Sequence, residues 1–280
     1  MLRFSRREVA LGGFAILTNF FGTEATAQSF KDDPFPPLPT DLERYAEDPD
    51  FFSSTLEFDA LGTAEPSDLE KKIAREIMQN APFNTRPIEV ARYYRDIGQG
   101  LYGDGLRPYA RGWPVKYNPV IIELFKVTNI NPLAPNGQGD ATPWCAAFVN
   151  YCIARAMSRN GAIGEKELAF GTTSASSGSF RCWPDHGSGS AEPQEGDVVV
   201  WALQGTVNGC AYGKGHVGFF VHLSGNPAKP YVVLGGNQSG DPMAGNATRK
   251  DAIVQKAMPI RYPTDSGYKE VLSFRRANFL

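Results

Sequence analysis

Apolar residues recur at helical spacing in the first half of the chain and at alternate positions in the last third. Ser67-Asp68-Leu69-Glu70 has the form of a capping box and predicts a helix running to about Ala81. Pro87 suits a first helical position, and IEVARYYRDIG predicts a second helix that stops near Gly98 and Gly100. The stretch from Gly100 to Lys116 has no clear period and reads as loop. Pro119 opens a third helix, VIIELFKVTN. In TPWCAAFVNYC, Thr142 suits an N-cap and Pro143 a first helical residue, which puts Cys145 near the third position. Apolar positions then recur at Cys145, Phe148, Val149, Cys152, Ile153 and Ala156, so one face of this helix should be buried. Arg155 and Arg159 at its end suit the helix dipole.

Residues 161–195 read as a Ser/Gly-rich loop with anchoring aromatics. Beyond Glu195 the period becomes two. GDVVVWAL, GHVGFFVHL and YVVLGGN carry β-branched and aromatic residues between Gly, Asn and Pro breaks, and IVQKAMPI and EVLSFRRA extend the pattern. Helices first and strands later, with hairpin-length gaps, predict an α+β fold with an antiparallel sheet.

The N-terminal pattern is different. Ser5-Arg6-Arg7, an uncharged run from Val9 to Phe21 and small residues at Ala25-Thr26-Ala27 together resemble a twin-arginine (Tat) export signal over residues 1–27. Val9 and Ala10 depart from the bulky residues usual after the arginine pair, and a general secretory signal is the rival, with the same destination. Residues 28–66, with PFPPLP at Pro34–Pro39, read as an extended linker or arm, and residues 67–117 as a helical N-terminal extension.

Composition adds bounds. With 280 residues, 42% of them hydrophobic and 21% charged, the chain can bury an ordinary globular core. Its formal net charge is −2; removal of residues 1–27, with three arginines and two glutamates, leaves −3. Nothing in that balance marks a nucleic-acid binder or a protein drawn to an anionic membrane. No second long apolar run follows the first, so the mature protein should not be membrane-bound.

Four cysteines are present: Cys145, Cys152, Cys182 and Cys210. Cys145 and Cys152 stand two helical turns apart, about 10.5 Å, beyond the reach of a disulfide. In an oxidising compartment, Cys182 with Cys210 is the pair to expect if one forms. No CxxC or HxxxH spacing marks a metal site, and no cofactor motif is present.

Cys145 near a helix N-terminus is a candidate nucleophile, because unpaired N–H groups and the dipole favour a thiolate there. The alternative is core filling, since Cys is among the most buried residue types. His216, in GKGHVGFF at a strand start with glycines around it, is the candidate base. His222 reads as structural or exposed, and His186 as exposed. Asn237 in VLGGNQSG, with Gln238 as the neighbouring alternative, is the candidate orienter of the imidazole; its other reading is a turn residue. Asp197 reads as a turn or capping acid.

PWCAAFVNY, PQEGDVVVW, GHVGFFV and VLGGNQ, in that order, resemble the CHAP family of cysteine- and histidine-dependent amidohydrolases and peptidases. The likeness runs from about Asn118 to Asn237. It implies a papain-like fold, with N-terminal helices and the nucleophile at the start of a central helix packed on an antiparallel β-sheet, and a catalytic domain over residues 118–280. It also implies Cys145 as nucleophile, His216 as base and Asn237 as polar partner. The glutamate that the family often carries two residues earlier is Gly235 here, which leaves a triad. The backbone N–H of Cys145, with Gln138 upstream, would hold the oxyanion. Trp144 and Tyr212 are candidate cleft walls, Trp144 equally a core residue.

Two functions follow from this reading. One is hydrolysis of amide bonds in peptidoglycan, as an N-acetylmuramoyl-L-alanine amidase or an endopeptidase, by an exported enzyme working through a thioester. The other is a catalytically inactive CHAP-like binding or structural module of the cell envelope.

Overall fold

The structure is a computed structural model that describes residues 62–135, 137–184, 192–203, 215–240, 251–264 and 267–276. The export signal, nearly all of the 28–66 arm, His186, Cys210 and Tyr212 lie outside the described residues.

Helix α1 spans Asp68–Asn80 with Ser67 as N-cap. The capping box is complete: the Ser67 hydroxyl accepts from the Glu70 N–H at 3.3 Å, and the Glu70 carboxylate accepts from the Ser67 N–H. Helix α2 spans Pro87–Gly98, with Pro87 in its first turn as expected. The segment read as loop between Gly100 and Lys116 contains a 3-10 helix at Asp104–Ala110. Helix α3 is shorter than predicted, Pro119–Leu124, and tightens into a 3-10 turn at Phe125–Val127. Within the loop read after Gly161 lie a one-turn helix, α5 (Glu165–Leu168), and a 3-10 helix at Ser177–Cys182.

Helix α4 spans Cys145–Met157 and is enclosed on all sides, not buried along one face as the spacing suggested. Its polar residues are buried and satisfied. The Asn150 amide donates to Ser174 O at 2.9 Å and accepts from the Thr172 N–H at 2.7 Å. Arg155 donates to Ala81 O at 2.9 Å and Gln79 O at 2.7 Å, so its charge serves the carbonyl end of α1 rather than only its own helix. Helices α1 and α2 supply the cover on one side, through Ile73, Ile77, Tyr94 and Ile97, which belong to the same core cluster as α4.

The other side of α4 is the sheet. Six antiparallel strands, β1 (Val198–Leu203), β2 (Gly215–Leu223), β3 (Tyr231–Gln238), β4 (Ala252–Met258), β5 (Arg261–Thr264) and β6 (Gly267–Arg275), stand in the order β4-β3-β2-β1-β6-β5. The expected α+β class with an antiparallel sheet is therefore observed. Strand β5 was not anticipated; it is short, partly exposed and carries Pro263, so its alternation is weak. Val198, Val200, Val217 and Phe219 face the core shared with α4, while Val199, Trp201, Phe220 and Phe274 form a second cluster on the opposite face. Where β3 crosses the first turn of α4 the packing leaves no room for a side chain: a Cβ on Gly236 would stand 2.3 Å from the Trp144 ring and 2.9 Å from Phe148 Cβ.

Candidate active site

Helix α4 begins at Cys145 itself, and Trp144, not Thr142, is its N-cap. A 3-10 turn at Gly139–Ala141 claims Thr142 as its own C-terminal residue, with the Thr142 N–H donating to Gly139 O at 3.2 Å. Two helix signals therefore compete, and the turn takes the capping residue. Cys145 is at the first helical position, where its own N–H and the next remain free of helix bonding.

Cys145, His216, Asn237 and Gln238 line one cleft of about 1110 Å³. Its walls come from the start of α4, the 3-10 segment near Ser177, and strands β2, β3, β4, β5 and β6. The backbone N–H dipoles of Val217, the residue after His216, and of Ala146 and Cys145 itself act on the Cys145 sulfur. Those dipoles and the cation of Lys269 favour the thiolate, yet burial outweighs them and pushes the thiol up. The dipole argument alone predicted the reverse; it omitted that Cys145 is buried, with 5% of the residue exposed.

His216 sits at the second residue of β2 and packs on Trp201, with ring centroids 5.9 Å apart. Burial first, then the cations of Lys269 and Lys256, push its imidazole down to about 3. The Gln238 side chain is the one neighbour that favours the protonated ring. Gln238 Nε2 donates to Val254 O at 3.3 Å, which leaves Oε1 as the acceptor for an imidazole N–H. His216 Nε2 and Gln238 Oε1 are both buried, and neither completes a hydrogen bond of regular geometry. Catalytic hydrogen bonds are often loose before substrate is bound.

Asn237 lines the same cleft but makes no hydrogen bond to His216 among the described residues. It has φ 56°, at a bulge where the β3–β4 register shifts between Gly235 and Gln238. That shift passes the contact to Gln238. Gly235 makes the contact possible, because a Cβ there would stand 2.4 Å from Gln238 Nε2. The space beside Gly235 is thus filled by the Gln238 carboxamide.

The other candidates separate cleanly. Gln138 is exposed and is not on the cleft wall. Trp144 is fully buried core and donates to Asp251 at 3.2 Å. His222 is exposed, as expected. Asp197 is buried, accepts from the Gln194 N–H at 2.7 Å and pairs with Arg276 at 2.7 Å, a structural acid as expected. Cys182 is disulfide-bonded, whereas Cys145 and Cys152 are free. Lys269 and Tyr262, which reach the sulfur electrostatically, were not anticipated. Nothing in their local sequence marks them, since β5 and β6 reach the cleft only through the out-of-order β1–β6 pairing.

Residues 137–237 match the family model of the CHAP domain. This part of the chain is similar to a CHAP domain. The matched segment begins eight residues before Cys145 and ends at Asn237, so it spans Cys145 and His216 and stops just short of Gln238. A CHAP domain points to amidase or peptidase chemistry on peptidoglycan. No curated protein and no solved structure matches the chain. No helix among the described residues is long and apolar enough to cross a membrane.

Proposed function

We infer that this protein is an exported cysteine amidohydrolase that cleaves an amide bond of peptidoglycan, as an N-acetylmuramoyl-L-alanine amidase or a stem or cross-bridge endopeptidase. The observation that carries the reading is the convergence of Cys145 and His216 on the wall of one cleft, at the starts of helix α4 and strand β2. Export is read from residues 1–27 as a Tat-type signal, and a mature N-terminus at Gln28, measured by mass spectrometry on the exported protein, is its check.

Burial keeps both the thiol and the imidazole neutral near pH 7. The chemistry is then general-base catalysis rather than attack by a preformed ion pair. His216 takes the Cys145 proton as sulfur attacks the carbonyl carbon. The N–H groups at the start of α4 face the charge that develops on oxygen. The tetrahedral species collapses as His216 returns the proton to the leaving nitrogen, which gives a thioester and a free amine. A water, deprotonated by His216, then attacks the thioester and releases a carboxylate and the thiol. Gln238 orients the ring and stabilises its charged form in both steps, the role that the resemblance gave to Asn237.

Digestion of purified peptidoglycan, with the new termini identified by mass spectrometry, tests the reading and names the bond. Full activity in Cys145→Ala would sink it. The rival, an inactive envelope module on the same scaffold, draws on the replacement of the family's glutamate by Gly235; it requires that no wall preparation be cleaved and that Cys145 resist alkylation even at alkaline pH.

A further inference from the structure

Among the described residues, the cleft holding Cys145 carries charge of one sign. Lys229, Lys256 and Lys269 line it, and no Asp or Glu is among its described wall residues, although the whole chain is net acidic at −2. Lys256 and Lys269 are half-buried. Neither ammonium has a carboxylate partner among the described residues. Lys269 donates to Gly215 O at 2.9 Å, and Lys256 donates to Ser239 Oγ at 3.1 Å and to Ser239 O. Burial pushes both amines down, and Lys229 adds its repulsion to Lys256. Cations withdrawn from water with only neutral acceptors are destabilising until an anion arrives.

Their placement is two-sided. The strand order puts β2, which bears His216, between β3–β4 on one side and β1–β6 on the other. Lys256 on β4 and Lys229 in the β2–β3 connection stand on the first side, and Lys269 on β6 on the second. The His216 ring feels both Lys256 and Lys269, so the two positive poles flank the reacting groups.

We propose, resting on the reading of this cleft as the substrate site, that it selects an acidic amide substrate with a free carboxylate on each side of the bond to be cut, one held by Lys269 and the other by Lys256 with Lys229. The carboxylates supply the anions that the cleft lacks, and a carboxylate oxygen can accept from an ammonium in place of bulk water. Specificity then comes from the penalty on neutral peptides, which leave the lysines unpaired. A wall whose peptide carboxylates are amidated is a poor substrate.

The test is equilibrium binding to the full chain carrying Cys145→Ala, so that nothing is turned over. The probes are a synthetic peptidoglycan stem peptide with free carboxylates and the same peptide with those groups amidated, followed by calorimetry at low and high salt. The free acid is expected to bind at least about tenfold more tightly, the scale of one or more charge-assisted hydrogen bonds, with a preference that shrinks at high salt. Lys256→Gln and Lys269→Gln should each reduce the preference, by weakening the free acid and by relieving the penalty on the amidated peptide. Equal affinity for the two peptides overturns the proposal without any variant, and so does a preference that survives both substitutions. A preference for the free acid in a protein that cleaves no wall preparation would support the binding inference while the hydrolase reading fell. Cleavage with no such preference would do the opposite.

Discussion

Gly235 and Gln238 are a matched pair: the side chain of Gln238 folds back over Gly235 so closely that a Cβ would stand 2.4 Å from Gln238 Nε2 and 3.3 Å from its Cδ. The end of a glutamine side chain can swing away, so a methyl at Gly235 is accommodated only by taking the carboxamide off His216. Gly235→Ala and Gln238→Ala should each lower kcat/KM by about tenfold or more, as loss of a group that orients a general base does. The double variant should be no worse than either single, because both remove one contact. The measurement is a double-mutant cycle with pH profiles. A purely structural role for Gln238 would change stability and leave the acid limb of the profile in place.

Loss of Cys145 or His216 should abolish turnover and leave the fold. Cys145→Ala and His216→Ala are expected to reduce kcat by at least about a thousandfold, the scale on which removal of nucleophile or base acts. Far-UV circular dichroism should be unchanged. Because burial raises the thiol, alkylation of Cys145 should be slow at neutral pH and accelerate in alkali, while Cys152, fully buried, stays unlabelled until unfolding. Rapid labelling at neutral pH would show that the thiol ionises early and that the general-base scheme is wrong.

Acid should destabilise the protein through His216. In the unfolded chain the imidazole titrates near its ordinary 6.5, and in the fold burial holds it down to about 3. The unfolded state therefore binds more protons between those values. Stability from keeping the ring neutral is complete above 6.5 and is lost as pH falls toward 3, by an amount on the order of a few kcal/mol. Urea midpoints at pH 7 and pH 4 read this out. His216→Gln, which cannot titrate, should fall less between the two; an equal fall would place the acid sensitivity elsewhere.

Gly236 lets helix α4 pack closely against the sheet. A Cβ there meets the Trp144 ring at 2.3 Å and Phe148 Cβ at 2.9 Å, atoms fixed in a packed core. Gly236→Ala should cost about 2 kcal/mol through overpacking and displace the first turn of α4. Thermal melting checks the first effect. A drop in kcat larger than the fall in folded fraction checks the second, and a variant as stable and active as the native protein would show that the contact yields freely.

The elements that could be read locally were read. The Ser67–Glu70 box, Pro87 at a first helical turn and the alternation in VVVWAL and GHVGFFVHL act within a few residues, and each appears where it was expected. Thr142 misled because a cap signal does not say which of two adjacent helices will use it. Between Asn237 and its alternative Gln238, the side chain that acts on His216 is that of Gln238, which the sequence could not show, since alternation carries no mark of the bulge at Gly235–Gln238. Burial of Arg155 and Asn150 was invisible, because polar residues on a helix read as exposed until other segments cover them.

Residue type and order along the chain determined the α+β class, the CHAP likeness and the pairing of Cys145 with His216 as the candidates for chemistry. Tertiary structure decided the rest: the burial of both groups, the placing of the Gln238 side chain near His216 and the gathering of three lysines on the cleft wall. Those properties depend on distance and on exclusion of water, and both are set by strands β3, β4 and β6, which meet the helix only after distant parts of the chain have paired.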